Sequence, residues 1–365
     1  MLRVFTAFSG YDSQCLALNR IGIEYELVGW SEIDKHAIKA HNALFPQWTE
    51  RNFGDITQID WSQVPDFDLF TYSSPCQDFS NAGLMRGGEK GSGTRSSLLW
   101  ECEKAVRAKK PKYLLFENVA SILNKCNVHV FNSWLNVLSS IGYANYWQVL
   151  NAKDYGVPQN RKRVFCVSIL NGIQPYYFPK AIETNLRVKD ILENNVNESY
   201  YLNDKYLETF YKTGKVWKDM SGVVIDIKQL SPTITTNKGD GQKIKVRSDK
   251  RDNTQNYVVK PITIQRGHGY NKGGEFMDVT PTITGSTWHF NNVLKLGYRI
   301  RKYTERECFR LMGVADADSD KIRQVVSKSQ CYKLAGNSIV VDVLVAIFNQ
   351  LFSNNKTTDK QLKLF

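Results

Sequence analysis

One cysteine in this sequence stands where a nucleophile can be presented. Ser74-Pro-Cys-Gln-Asp-Phe-Ser80 follows the apolar run Phe67–Tyr72, so a rigid proline holds Cys76 just past the end of a buried strand. A cysteine in that position is either structural or reactive, and its type alone leaves both open. The next apolar run ends in Phe116-Glu-Asn-Val119, which sets the carboxyl of Glu117 at the same edge. A thiol and a carboxyl on neighbouring strand ends suit covalent addition to an electron-poor ring, the acid protonating a ring nitrogen. Upstream, Phe8-Ser-Gly-Tyr-Asp-Ser13 turns sharply from strand to helix, and Gly10 permits close approach of the backbone to a ligand. Two carboxylates then follow strands as a nucleoside site requires: Glu32, able to accept from two ribose hydroxyls, and Asp55, able to accept from an exocyclic amine. Each is equally readable as a solvated carboxylate at a helix start. Phosphate-cradling motifs fail, because Gly88-Glu-Lys-Gly-Ser-Gly-Thr94 lacks the lysine of the P-loop spacing, and Gly91-Ser-Gly93 continues to Ser96 instead of glycine.

The elements that must position these groups alternate along residues 1–169. Arg3–Phe8, Tyr25–Trp30, Phe67–Tyr72, Tyr113–Phe116 and Arg163–Ile169 read as strands, while Ser13–Arg20, Asp34–Leu44, Leu98–Lys109 and Val128–Ser140 carry helical periodicity. This alternation predicts an α/β fold with a doubly wound, mostly parallel sheet, whose ligands bind beyond the carboxyl ends of the strands. Residues 173–298 lack a clear helical period and are rich in Tyr, Asn, Lys, Gly and Thr, which predicts a second, smaller, mainly β domain. Within it Ser231-Pro-Thr-Ile-Thr-Thr236 is echoed by Thr280-Pro-Thr-Ile-Thr-Gly285, best read as two similar edge strands opened by proline. A helical pattern returns from Tyr303, with a helix expected over Thr304–Met312 and an apolar one over Asp342–Phe352.

The 365 residues carry 48 Lys and Arg against 36 Asp and Glu, a formal charge of +12 that points to a polyanionic partner. The excess is uneven: 18 basic and 16 acidic residues in 1–172 (+2), 18 and 13 in 173–298 (+5), 12 and 7 in 299–365 (+5). No apolar run reaches the roughly 18–20 residues a membrane helix needs. The seven cysteines are scattered without a C-x-x-C pair, so neither a disulfide framework nor a metal site is signalled. A reducing cytoplasm is expected.

Six blocks in order carry a resemblance. Phe8-Ser-Gly10, Ser74-Pro-Cys-Gln-Asp-Phe-Ser80, Glu117-Asn-Val119, Gln159-Asn-Arg-Lys-Arg163, Tyr303-Thr-Glu-Arg-Glu-Cys-Phe-Arg-Leu-Met-Gly313 and Gly336-Asn-Ser338 are similar to the motif set of the DNA (cytosine-5) methyltransferases. The match spans most of residues 1–172 and 299–352 and includes Asn151-Ala-Lys-Asp-Tyr-Gly-Val-Pro158 ahead of the arginine block. The resemblance implies an S-adenosylmethionine-dependent, Rossmann-like catalytic domain over 1–172, a target-recognition domain over 173–298, and a segment over 299–365 that returns to the first. It implies that Cys76 adds to C6 of cytosine, that Glu117 binds the exocyclic amine and N3, and that Arg163 holds the cytosine O2. Arg161 would support that geometry or bind a phosphate.

For the cofactor the resemblance places Phe8, Ser9 and Gly10 around the methionine moiety and adenine, and Glu32 on the ribose with Ile33 beside it. Asp55 and Ile56 fall on adenine, Pro75 and Leu98 line the pocket, and Asn337 and Ser338 close it from the far end of the chain. Asp12 stands where many members have a second glycine, and Ile33 where an aromatic is frequent. Gly83–Gly93, with five glycines, resembles the mobile catalytic loop that closes over a flipped base. Double-stranded DNA is the implied partner, recognised by residues 173–298 through segments such as Gln265-Arg-Gly-His-Gly-Tyr-Asn-Lys272. A partner endonuclease is compatible with this setting, and a monomer suffices for one base per active site. A tRNA-methylating relative, a catalytically dead DNA-binding regulator and a nicotinamide dehydrogenase are the competing classes. The long recognition region, the intact Cys76, Glu117, Arg163 and Asn337, and the failed glycine fingerprint speak against them in turn.

Overall fold

The computed structural model describes residues 1–75, 90–92, 95–172, 175–200, 262–265, 274–277, 280–281, 292–296 and 299–352. Cys76, the segment Ser231–Thr236, most of Gly83–Gly93 and of Gln265–Lys272, and the residues after Phe352 lie outside them.

A six-stranded sheet has the order β2-β1-β3-β4-β7-β5, built from β1 (Leu2–Ala7), β2 (Tyr25–Ser31), β3 (Leu69–Tyr72), β4 (Tyr113–Val119), β5 (Tyr143–Asn151) and β7 (Lys162–Leu170). β1 pairs in parallel with both β2 and β3, and β3 with β4, whereas β7 runs antiparallel to β4 and to β5. The order reverses between β1 and β3, so the carboxyl ends of those strands flank the crevice where such sheets bind ligands. Helices α1 (Ser13–Arg20), α2 (Lys35–Leu44), α3 (Leu99–Lys109) and α4 (Val128–Ile141) cover the two faces. Alternate residues feed two cores: Val4, Leu69 and Phe165 enter one, Phe5, Phe70 and Val164 the other.

Sheet order makes β5 the hardest strand to read. Tyr143–Asn151 lies at the edge, and its half-exposed Asn145, Trp147 and Gln148 give it no continuous apolar run. One tight contact fixes the other side of the sheet: a Cβ on Gly29 would come within 2.6 Å of the Phe5 ring and 2.7 Å of Phe53. The register of β1 and β2 shifts at that point, between Val4 and Phe5.

The carboxyl-terminal helices are α5 (Glu305–Arg310), α6 (Asp316–Val325), α7 (Lys328–Asn337) and α8 (Val341–Phe352). α5 is shorter than the expected 304–312 because Thr304 and Glu307 form a capping box at its start, and Gly313 turns the chain with φ 72° just past its end. Arg310 chelates Asp316 at 2.8 and 2.6 Å, and Glu307 accepts from the backbone of Glu193, so both side chains are structural. α8 packs on α1, bringing the end of the chain back beside β1, and Arg20 reaches Asp342 at 2.9 Å. The stretch Lys328–Phe352 is long and apolar enough to cross a membrane by composition, contrary to expectation. It is two helices broken at Ser338–Val340, and 78% of its apolar window is buried within the protein.

Val188, Ile191 and Tyr176 enter the core beside β1, and the Tyr176 hydroxyl donates to the Ile347 carbonyl, so residues 175–200 pack on the catalytic unit. Apolar residues spaced through an otherwise polar segment gave no period from which to foresee this. Further on, β8 (Ile262–Gln265), β9 (Gly274–Met277), β11 (Asn292–Leu296) and β12 (Arg299–Lys302) form an antiparallel sheet of order β12-β11-β8-β9. The β11–β12 pair spans residue 298. β10 (Thr280–Pro281) pairs in parallel with β6 (Gln159–Asn160), next to the arginine block.

Candidate active site

Glu117 is the centre of the site. Its register partner on β7 is Phe165, so Arg163, two residues away on the same strand, shares its face of the sheet. The Arg163 Nε lies 3.2 Å from Glu117 Oε1. The pairing Tyr72↔Phe116 carries Ser73 alongside Glu117, and the Ser73 hydroxyl donates to Oε2. A buried carboxylate is thus held at both oxygens, one by a guanidinium and one by a hydroxyl. Asn118, buried beside it, donates to the Ser74 carbonyl at 3.2 Å and fixes the loop that runs into Pro75 and Cys76. Ser73 and Asn118 are contacts within the candidate site that sequence reasoning missed. The strand register could have found both, since they flank Glu117 and the cysteine loop. Cys76 itself lies outside the described residues, two positions after Ser74.

Arg161, expected beside the catalytic groups, is spent elsewhere. It is buried, and its Nη2 donates to the carbonyls of Gly336 at 3.1 Å and Ser338 at 2.8 Å. Arg163 lies on β7 and meets Glu117, whereas Arg161 sits in the break between β6 and β7, so the two do different work although only Lys162 separates them. Gln159 of the same block is also structural, donating to the Leu311 carbonyl at 2.7 Å.

The loops after β1 and β2 form the second half of the site. Phe8, Gly10 and Asp12 all have left-handed φ, at 54°, 60° and 68°. Left-handed backbone is tolerated best by Gly and then by Asn or Asp, so Asp12 supplies the conformation of the glycine it replaces. A Cβ on Gly10 would meet nothing within 4 Å, and the Ser9 hydroxyl is buried without a partner among the described residues. Glu32 Oε2 accepts from Gly10 N at 3.0 Å, while Oε1 accepts from Ile33 N and Asp34 N, each at 2.8 Å. One carboxylate lone pair on Oε2 remains for a ligand, so Glu32 can take one hydroxyl without rearrangement instead of the expected two. Ile33 projects into solvent at 69% exposure, an apolar surface beside that carboxylate.

Asp55 is exposed and caps a short turn through Oδ1, which accepts from the backbone and hydroxyl of Thr57, both at 2.9 Å. Its Oδ2 has no partner among the described residues. Ile56 is buried in the core under β1. Asn52, which sequence reasoning missed, clips the loop after β2 to the turn that carries Asp55 by accepting from Glu32 N and Gly54 N. Pro75 and Leu98 are half-buried, Asn337 is exposed, and the Ser338 hydroxyl lies 2.6 Å from that of the buried Tyr11. Tyr11 therefore joins the loop after β1 to the end of α7. An open glycine cradle, an unsatisfied buried hydroxyl, a carboxylate with one free lone pair and an exposed apolar side chain fit a nucleoside carrying a charged tail, as S-adenosylmethionine does.

A sheet with one antiparallel strand, β7, among five parallel strands, and a carboxylate, arginine and glycine loop at its carboxyl edge, defines the S-adenosylmethionine-dependent, Rossmann-like methyltransferase class. The family model described as C-5 cytosine-specific DNA methylase matches residues 2–353, and the chain belongs to that family. Type II methyltransferase M2.ScrFI of Lactococcus lactis subsp. cremoris is 36% identical, over 97% of this chain and 100% of its own. Orphan methyltransferase M.SPRI of Bacillus phage SPR is 34% identical, over 96% and 97%. In fold, the chain resembles the S. pombe Dnmt2 methyltransferase with a TM-score of 0.65 over 96% of this chain and 98% of that one, at 18% identity.

Proposed function

We propose that this protein methylates C5 of cytosine within a particular sequence of double-stranded DNA, using a covalent bond from Cys76 to C6. The observation that carries this reading is the Glu117 carboxylate, held between Ser73 and Arg163 at the strand end that leads into the Ser74-Pro-Cys76 loop. Adding the Cys76 thiolate to C6 pushes electron density toward N3, where Glu117 supplies a proton and also accepts from the exocyclic amine. Arg163 pairs with Glu117 and would bind the O2 of the ring. C5 then becomes the nucleophile. S-adenosylmethionine supplies the methyl group as an electrophile, held by Phe8, Ser9, Gly10, Glu32, Ile33, Asp55, Ile56, Pro75, Leu98, Asn337 and Ser338. Loss of the C5 proton and expulsion of the cysteine restore the aromatic ring. Both faces of C5 and C6 are hidden in a duplex, so the cytosine must be flipped out to reach Cys76.

The charges outside the catalytic unit supply the grip on phosphate, which makes binding fall steeply with salt. Relatives are named as type II and orphan methyltransferases, and we place this protein likewise beside a partner endonuclease encoded nearby or in a solitary role; a cytoplasmic setting and a monomer belong to the same proposal. The deciding assay follows tritiated methyl transfer to duplex DNA and to tRNA, with bisulfite sequencing to locate the product. Cys76→Ala should abolish transfer and leave DNA binding intact, and 5-fluorocytosine at the target should trap the native protein covalently. Transfer to tRNA alone, or the absence of any adduct, would refute the proposal.

A further inference from the structure

The least explained titratable group in the core sits directly behind the cofactor loops. His41 on α2 is fully buried, and neither ring nitrogen has a hydrogen-bond partner among the described residues. Its Nε2 lies 3.6 Å from Oδ2 of Asp12, which is also fully buried. Its ring stacks on Trp30 of β2 at 3.7 Å between centroids and 18° between planes. Asp12 itself is tied on both sides of its turn: Oδ2 accepts from the Thr6 hydroxyl on β1 at 2.8 Å, and Oδ1 accepts from Cys15 N on α1 at 3.1 Å.

These contacts form a chain between the two loops that make the proposed cofactor site. Thr6, Asp12 and Cys15 close the turn containing Ser9 and Gly10. His41 carries that closure across to Trp30, and two residues beyond Trp30 stands Glu32, whose carboxylate takes the Gly10 N–H. A glycine at position 12 would supply the left-handed backbone but none of these ties, so the side chain does something the backbone alone does not require. An isolated buried carboxylate is costly, and the His41 imidazole lies 3.6 Å from that of Asp12.

We propose that Asp12 and His41 are a positioning pair for S-adenosylmethionine, locking the loop after β1 to the loop after β2 so that Gly10 and Glu32 are preset together. The inference rests on the cofactor site proposed above. Preset loops improve affinity by removing the cost of ordering them on binding, without touching the reacting atoms.

Calorimetric titration of the full chain with S-adenosylhomocysteine, paired with steady-state methylation of duplex DNA, tests this. Asp12→Gly and His41→Phe, the latter keeping the stack on Trp30, should each bind about tenfold more weakly and raise KM for the cofactor in step. Their kcat at saturating cofactor should stay within about twofold of the parent, as expected when only binding is lost. Asp12→Asn tolerates the left-handed turn and keeps an acceptor for Cys15 N, so it should restore affinity to within about threefold. Parental affinity in Asp12→Gly or in His41→Phe would overturn the pair. Equal loss in Asp12→Asn and Asp12→Gly would also overturn it. If Asp12→Gly fails to fold, His41→Phe decides alone. A parent protein that binds no S-adenosylhomocysteine would instead overturn the cofactor site, a result separate from any difference among the variants.

Discussion

Removing the guanidinium of Arg161 should damage cofactor binding and stability, and spare the chemistry. Arg161→Met keeps most of the stem's volume but deletes two charge-assisted bonds, to the carbonyls of Gly336 and Ser338. Hydrogen bonds to charged groups contribute about 1.5–3 kcal/mol each, and the desolvation of the arginine itself is recovered on replacement, leaving a net loss near 3 kcal/mol. With an unfolding entropy of about 2.1 cal/mol/K per residue, a chain of this size should lose roughly 4 °C in melting temperature. The freed loop carries Ser338, whose hydroxyl contacts Tyr11 behind Gly10, so cofactor affinity should fall about tenfold while kcat at saturation changes little. Arg163→Ala provides the contrast. Its side chain is the partner of Glu117, so it should cost at least about a hundredfold in kcat, whatever its effect on melting temperature. Differential scanning fluorimetry and steady-state methylation measure both. An Arg161→Met protein that melts with the parent and loses kcat alone would refute this division of labour.

Three further outcomes follow from other positions. Ser73→Ala removes the hydroxyl that donates to Glu117 and should lower kcat/KM about tenfold or more, with cofactor affinity intact; unchanged kcat/KM would remove Ser73 from the site. Gly313→Ala forces a Cβ into left-handed backbone and against the Asp342 carboxylate, which must leave Arg20. The combined cost of about 4–5 kcal/mol should show as a lower urea midpoint, and a parental midpoint would contradict the packing. Burial raises Asp342 to about 6, against the opposing pull of Arg20, so the folded protein holds its proton more tightly than the unfolded chain. That contribution is complete below about pH 3.8 and is lost as pH rises through 6. Relative to Asp342→Asn, the parent should therefore lose about 2.4 kcal/mol of unfolding free energy between pH 4 and pH 7. Parallel pH profiles for the two proteins would refute the assignment.

Much of the fold was legible because its strands are buried on both faces. Runs such as Tyr113–Phe116 and Phe67–Tyr72 stand out in any window, and the caps Asp12 and Asp34 mark the helices that follow β1 and β2. β5 escaped because an edge strand shows one face to water. The packing of residues 175–200 into the core escaped because Val188 and Ile191 are isolated apolar residues in a polar segment, which leaves no local period.

At the site, the sequence by itself determined which chemistry is present: a thiol behind proline, a carboxyl on the next strand end, two arginines in one block and a glycine loop ahead of two acids. Those identities follow from side-chain types and short spacings, which the linear chain carries in full. Which arginine faces Glu117 and which holds the carboxyl-terminal loop was decided only by the tertiary structure. That choice depends on the antiparallel register of β7 against β4 and on the return of α7 to the first strand. The same holds for Ser73, Asn52 and His41, whose partners lie 44, 20 and 29 positions away and meet them only when the sheet has closed.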